Sequence, residues 1–78
     1  MSPKLIKPGH TYVNKGKGNT VRRVIAIGDE HRPRVFFGGR DSIRDEPGVL
    51  FSRPDGSRDN LYLKSFATWC GADVTEGI

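Results

Sequence analysis

The sequence predicts a mostly β protein, a small antiparallel barrel of five short strands with one short helical turn near the carboxyl end. Three observations predict it. Glycine and proline, ten and five of the 78 residues, punctuate the chain at short intervals and mark frequent turns. The runs between them are short and rich in β-branched and aromatic residues, which suit a pleated, half-buried surface. One segment only, Ser65–Gly71, switches to helical spacing, with Phe66, Trp69 and Cys70 at i, i+3 and i+4.

The elements follow in order. Lys7–His10 (KPGH) is a turn that delivers Thr11–Asn14 (TYVN) as the first strand. The loop NKGKGN closes a hairpin onto Thr20–Ile27 (TVRRVIAI), the strongest strand signal in the chain. GDEHRP turns the chain into a third strand, Arg34–Phe37, and Gly38–Gly48 is a long, charged, irregular piece. Val49–Arg53 is the fourth strand. Pro54-Asp55-Gly56 then has the chemistry of a tight reversal. Leu61–Lys64 is the fifth strand, with Leu61 and Leu63 on one face and Tyr62 on the other. Ser65 is the expected cap of the helical turn and Gly71 its left-handed terminator. The tail from Ala72 is expected to fray. A five-strand count with a carboxyl-terminal helical plug fits an SH3-like barrel. An OB-like barrel needs a helix between its third and fourth strands, and Gly38–Gly48 is too rich in Gly and Pro to form one.

The bulk properties bound what such a domain does. Seventy-eight residues make one domain, 1–78, with an ordered core expected over about 8–71. Mean hydropathy is −0.54, no apolar run approaches the ~20 residues needed to span a bilayer, and there is a single cysteine. The expectation is a cytoplasmic protein, with no membrane association and no disulfide framework. Net charge is +4 but unevenly spread. Residues 1–40 carry nine Lys/Arg against two acids, and residues 41–78 carry four against seven. Such a field favours polyanions or an acidic protein surface unless the fold interleaves the two halves.

Three constellations bear on chemistry. The loop with Lys15 and Lys17 combines glycines and cations, as an anion-binding nest does. A strand follows it, not the helix a nucleotide P-loop requires, and its plainer reading is a glycine hairpin with soluble lysines. Arg22 and Arg23 are neighbours on a strand and point to opposite faces, so a bulge near them is needed to sort that strand's apolar side chains. With Lys15, Lys17, Arg32 and Arg34 they form a candidate basic face. Tyr12, Phe36 or Tyr62, where exposed, are candidate stacking surfaces on it, and the plainer reading is ordinary surface charge with half-buried aromatics. Cys70 in WCGAD lacks the second cysteine and the βαβ context of a redox motif, and reads as a small buried apolar residue. His10, His31 and Cys70 share no metal-ligand spacing, and no nucleophile–base–orienter set is visible. The sequence thus implies no cofactor, no metal and no catalysis.

The ordered layout of Pro8-Gly9 with Tyr12, Arg22-Arg23-Val24 with Ile27, Val35 with Phe37, and Ser65-Phe66 with Trp69 resembles small uncharacterised proteins of phages and prophages. It is also similar to SH3-like domains of unknown function that open with a Pro-Gly turn and a Lys-Gly hairpin. The resemblance covers roughly residues 8–70 and implies a mobile-element origin and a site of action in the host cytoplasm, with no functional residues to carry over. The function expected is a non-enzymatic binding module that contacts nucleic acid or a nucleoprotein through its basic face. The alternative is a phage-encoded inhibitor of a host protein or defence complex, as anti-CRISPR proteins are, with Gly38–Gly48 and the exposed aromatics as its contact.

Overall fold

A computed structural model describes residues 1–16, 20–33, 36–37, 40–41 and 46–75. In chain order the strands are β1 (Thr11–Asn14), β2 (Val21–Gly28), β3 (Phe36–Phe37), β4 (Arg40–Asp41), β5 (Gly48–Ser52), β6 (Arg58–Tyr62) and β7 (Cys70–Asp73). Helix α1 (Leu63–Trp69) joins β6 to β7. Five strands form one antiparallel sheet in the order β6-β5-β2-β1-β7, and among the described residues β3 and β4 pair only with each other. The sheet is open: β6 and β7 are its edges and are not hydrogen-bonded to one another. Among the described residues no helix is long and apolar enough to cross a membrane.

β2 is the middle strand, and its sequence carries the conflict noted above. Strict alternation would place Ile27 with Arg23 and Ile25, away from Val24. The structure resolves this with a register shift between Val24 and Ala26. Val24 lies opposite Phe51, Ala26 opposite Leu50 and Ile27 opposite Val49, so Ile25 is the extra residue. Beyond this bulge the faces exchange, and Ile27 joins Val24 against the core while Ile25 stays exposed. The bulge falls just beyond the arginine pair.

The core lies on the face that α1 covers. Tyr12, Val24, Val49, Phe51, Phe66, Ala67 and Cys70 are buried there together with Ile6. Burying one phenylalanine contributes about 1.5–3 kcal/mol, so Phe51 and Phe66 are major contributors. On the other face the 3-10 turn Asp29–His31 folds back over the far end of the sheet. The His31 carbonyl accepts a hydrogen bond from Asn60 Nδ2 at 2.7 Å, and the His31–Arg32 backbone lies directly on Gly48.

Several sequence expectations are corrected. The expected third strand survives as Phe36–Phe37 of the separate β3–β4 hairpin, with residues 34–35 outside the described residues. The fifth strand starts earlier than expected and ends at Tyr62, and Leu63 and Lys64 are helical. Leu63, Phe66, Ala67 and Cys70 are spaced i, i+3, i+4 and i+7, so Leu63 belongs to a helical stripe and not to the alternation of β6. Ser65 is therefore inside α1, and no side chain caps its start. The first free N–H, that of Leu63, instead donates to the Pro47 carbonyl at 3.0 Å. Gly71 does not terminate the helix in a left-handed turn, because α1 runs directly into β7.

Of the tail expected to fray, residues 76–78 lie outside the described residues, while Gly71–Asp73 belong to β7. Beyond them the chain is clasped. The Asp73 carboxylate accepts hydrogen bonds from the Thr75 hydroxyl and N–H, and lies 2.7 Å from His10 Nδ1. Thr75 Oγ1 in turn accepts from the Thr11 N–H at 2.9 Å. The Thr75 hydroxyl, followed by His10, holds the Asp73 carboxyl down to about 2 from an ordinary 3.8. A carboxylate with a depressed pKa stabilises the fold above its unfolded value and loses that contribution as pH falls through the folded one. Acid titration of stability is expected to show a loss between about pH 4 and 2 that is smaller in Asp73→Asn, read by urea unfolding at each pH. Equal slopes in the two proteins would show that the clasp stabilises nothing.

Candidate anion-binding groove

The β5–β6 hairpin positions the candidate site. Its turn is built as the sequence predicts. Pro54 supplies the fixed φ, the Gly56 N–H donates to the Arg53 carbonyl at 2.9 Å, and Gly56 takes φ +89°. The Asp55 carboxylate accepts from the Ser57 N–H and hydroxyl at 2.9 and 2.6 Å, which holds its carboxyl below the usual range. This tight turn fixes Arg53 and Arg58 on either side of it.

Strand register then brings in a third arginine. Arg58 lies opposite Ser52 and Ser52 opposite Arg23, while Thr11 faces Arg23 from β1. Directly paired residues share a face, so Arg58, Ser52, Arg23 and Thr11 form one row across four strands on the face away from α1. An open groove of about 470 Å³ runs beside this row. It is lined by Arg23, Arg53 and Arg58 with Ser52, Gly9 and Ile25, among others, and among the described residues by no acidic one. Among the described residues neither Arg23 nor Arg58 forms an ion pair, whereas Arg53 donates to Asp59 at 3.0 Å. Asp59 is held below the usual carboxylate range, chiefly by that bond.

The basic face expected from the sequence is only partly assembled. Arg23 is exposed and in the groove. Lys15 is exposed but sits four positions beyond Thr11 on the β1 side, roughly 13 Å along an extended strand. Its N–H donates to the Trp69 carbonyl. Arg32 lies past the opposite end of β2 and braces its turn, bonding Asp29 at 3.1 Å and the Glu46 carbonyl at 2.8 Å. Lys17 and Arg34 lie outside the described residues, as does the side chain of Phe36.

The expected exposure of Tyr12 and Tyr62 is overturned, because both are buried. The Tyr12 hydroxyl donates to the Leu5 carbonyl at 3.0 Å and accepts from the Lys7 N–H at 2.8 Å, and its burial raises its pKa. Tyr12 thus ties the amino-terminal segment to the sheet and presents no stacking surface. Arg53 and Arg58 were absent from the expected set. The signal for them was the Pro-Asp-Gly turn, since a reversal there brings the arginines flanking it close together.

Arg22 takes the other face. Its guanidinium carbon lies 4.3 Å from the ring centre of Trp69 and 4.7 Å from that of Phe51. The guanidinium of Arg53 also lies over Phe51, at 5.3 Å. Burial, and secondarily the Arg53 charge, lower the pKa of Arg22, with Asp59 opposing. Cys70 is fully buried, and desolvation pushes its thiol up, which disfavours the reactive thiolate. Among the described residues no three His, Cys, Asp or Glu side chains cluster as metal ligands do. No protein-family model, curated protein or solved structure matches this chain.

Proposed function

We propose that this protein is a binding module, not an enzyme, which holds a nucleic acid or a nucleoprotein by its phosphates across the outer face of the sheet. One observation carries the reading: the row Arg58–Ser52–Arg23 opens onto a groove whose lining, among the described residues, contains three arginines, Arg53 at the hairpin turn being the third, and no carboxylate. Guanidinium groups match phosphate geometry, and contacts of this kind fix position on a backbone with little readout of base sequence. The same reading places the fold in the SH3-like class. Its support is a four-strand meander whose fifth strand returns beside the first after a helical turn. A mobile-element origin is compatible with this proposal. The rival inhibitor reading rests on residues 38–48, most of which lie outside the described residues, and on exposed aromatics, of which Tyr12 and Tyr62 are buried.

Fluorescence anisotropy of labelled oligonucleotides across a salt series tests the proposal. Each phosphate contact contributes about 0.7–0.9 to the slope of log affinity against log salt. Replacing Arg23 and Arg58 together by threonine is expected to weaken binding strongly and reduce the slope by about the equivalent of two contacts. Affinity that stays constant with salt, or a double variant that binds like the parent, would overturn the assignment.

A further inference from the structure

Arg22 is held in a way that structure alone leaves unexplained. A guanidinium offers five N–H donors and no acceptor. Among the described residues, none of the Arg22 donors meets a protein acceptor, and its Nε is buried without any partner. Buried polar groups nearly always have a partner, and an exception calls for a reason, such as a bound ion. The terminal nitrogens are not fully buried, so the distal edge of the guanidinium is the part a ligand can reach.

The surroundings are those of a prepared anion receptor. Trp69 and Phe51 flank the guanidinium at 4.3 and 4.7 Å, which fixes its plane and displaces water from it. Arg53 shares the Phe51 ring and adds a second positive charge. The nearby carboxylate, that of Asp59, is already engaged by Arg53 at 3.0 Å. Among the described residues, two cations and one committed anion leave an excess positive charge centred on the side chain with unfilled donors. An oxyanion placed there gains charge-assisted hydrogen bonds without first having to order the arginine.

We propose that Arg22, clamped by Trp69 and Phe51, anchors a separate phosphate-binding site on the helix-bearing face of the sheet. Phosphate is favoured over a single carboxylate because its greater charge and larger number of acceptor oxygens draw on both Arg22 and Arg53. The site does not rest on the outer groove, which lies on the opposite face; Arg53, at the hairpin end, borders both.

The chain contains one tryptophan, and it touches Arg22, so emission from Trp69 reports directly on the site. The full-length protein is titrated at constant ionic strength with inorganic phosphate, with a short oligonucleotide and with acetate, following Trp69 emission and the Arg22 Nε–Hε resonance. Saturable changes in both with inorganic phosphate are expected if the source is a free phosphate compound. Saturation only by the oligonucleotide supports the same site with a nucleic-acid phosphate as its source. Arg22→Lys, which keeps the charge but loses the planar fork, is expected to weaken the response about tenfold or more. Arg22→Met, checked for folding by circular dichroism, is expected to abolish it. The Arg23→Thr, Arg58→Thr double variant is expected to retain the inorganic-phosphate response, which separates failure of this site from failure of the outer groove. No saturable change with either phosphate source, an equal response to acetate, or a lysine variant that responds like the parent would each overturn the proposal.

Discussion

Replacing Gly48 with alanine is expected to prevent folding or remove about 3 kcal/mol or more of stability, one of the two largest effects of any single substitution considered for this protein. A Cβ at this position would lie 2.0 Å from the His31 carbonyl oxygen and 2.4 Å from the Arg32 nitrogen. Those atoms are backbone, held in place by the Asn60 hydrogen bond to His31 and by the Arg32 contacts to Asp29 and Glu46. Relief therefore requires lifting the whole 3-10 turn off the sheet or bending β5 away from it. Small domains have only about 5–15 kcal/mol of net stability, so the loss is a large share of the total. Gly28→Ala is the matched comparison. The three atoms nearest its Cβ would all belong to the Glu30 carboxylate, the first at 2.6 Å, and that flexible side chain can swing into solvent. Urea denaturation of the two variants is expected to separate them clearly. Equal midpoints would mean that the turn does not press on Gly48 in solution.

Phe66→Ala is expected to cost about 3–5 kcal/mol and to disturb the site around Arg22 even where the protein remains folded. Phe66 is fully buried and is the hub of the aromatic cluster. Its ring centre lies 5.8 Å from that of Tyr12, 5.5 Å from Phe51 and 5.2 Å from Trp69. It is also one of only two fully helical residues of α1 that are buried, so its loss weakens the attachment of the helix to the sheet. The cavity would sit under Trp69 and Phe51, the two rings that clamp Arg22. Thermal unfolding measures the first effect, and Trp69 emission in the native state measures the second. A variant within about 1 kcal/mol of the parent would show that the core closes around the gap, against the usual cost of such truncations.

Much of this fold is legible in the residues. β1, β2, β5 and the Pro54-Asp55-Gly56 reversal announce themselves through β-branched runs and turn chemistry, which act locally. The misreadings have a common cause, in that a long-range partner decided between two local options. Leu63 fits both an alternating strand and a helical stripe, and contact with Pro47 and the core chose the helix. Gly71 fits both a helix terminator and a strand, and pairing with β1 chose the strand. The need for a bulge in β2 was legible because Arg22–Ile27 cannot sort onto two faces without one. Its position at Ile25 was set by pairing with Phe51 and Leu50. The site was the least legible part. Arg23 was found because its charge breaks an apolar run, whereas the roles of Arg53 and Arg58 depend on register, and the burial of Tyr12 depends on carbonyl and amide groups of the amino-terminal segment.

The return of β7 to the side of β1 has a kinetic consequence. Tyr12 pairs with Asp73 and Asn14 with Cys70, so joining these strands means closing nearly the entire chain into a loop. The β1–β2 and β5–β6 hairpins need only short closures. Because loop entropy must be met before such distant contacts give anything back, the two hairpins are the natural early structures, and docking of the final strand, carried in by its helix, is the natural late event. Until that event the inner edge of β1 stands open, and during those moments the chain is most exposed to pairing with a neighbour.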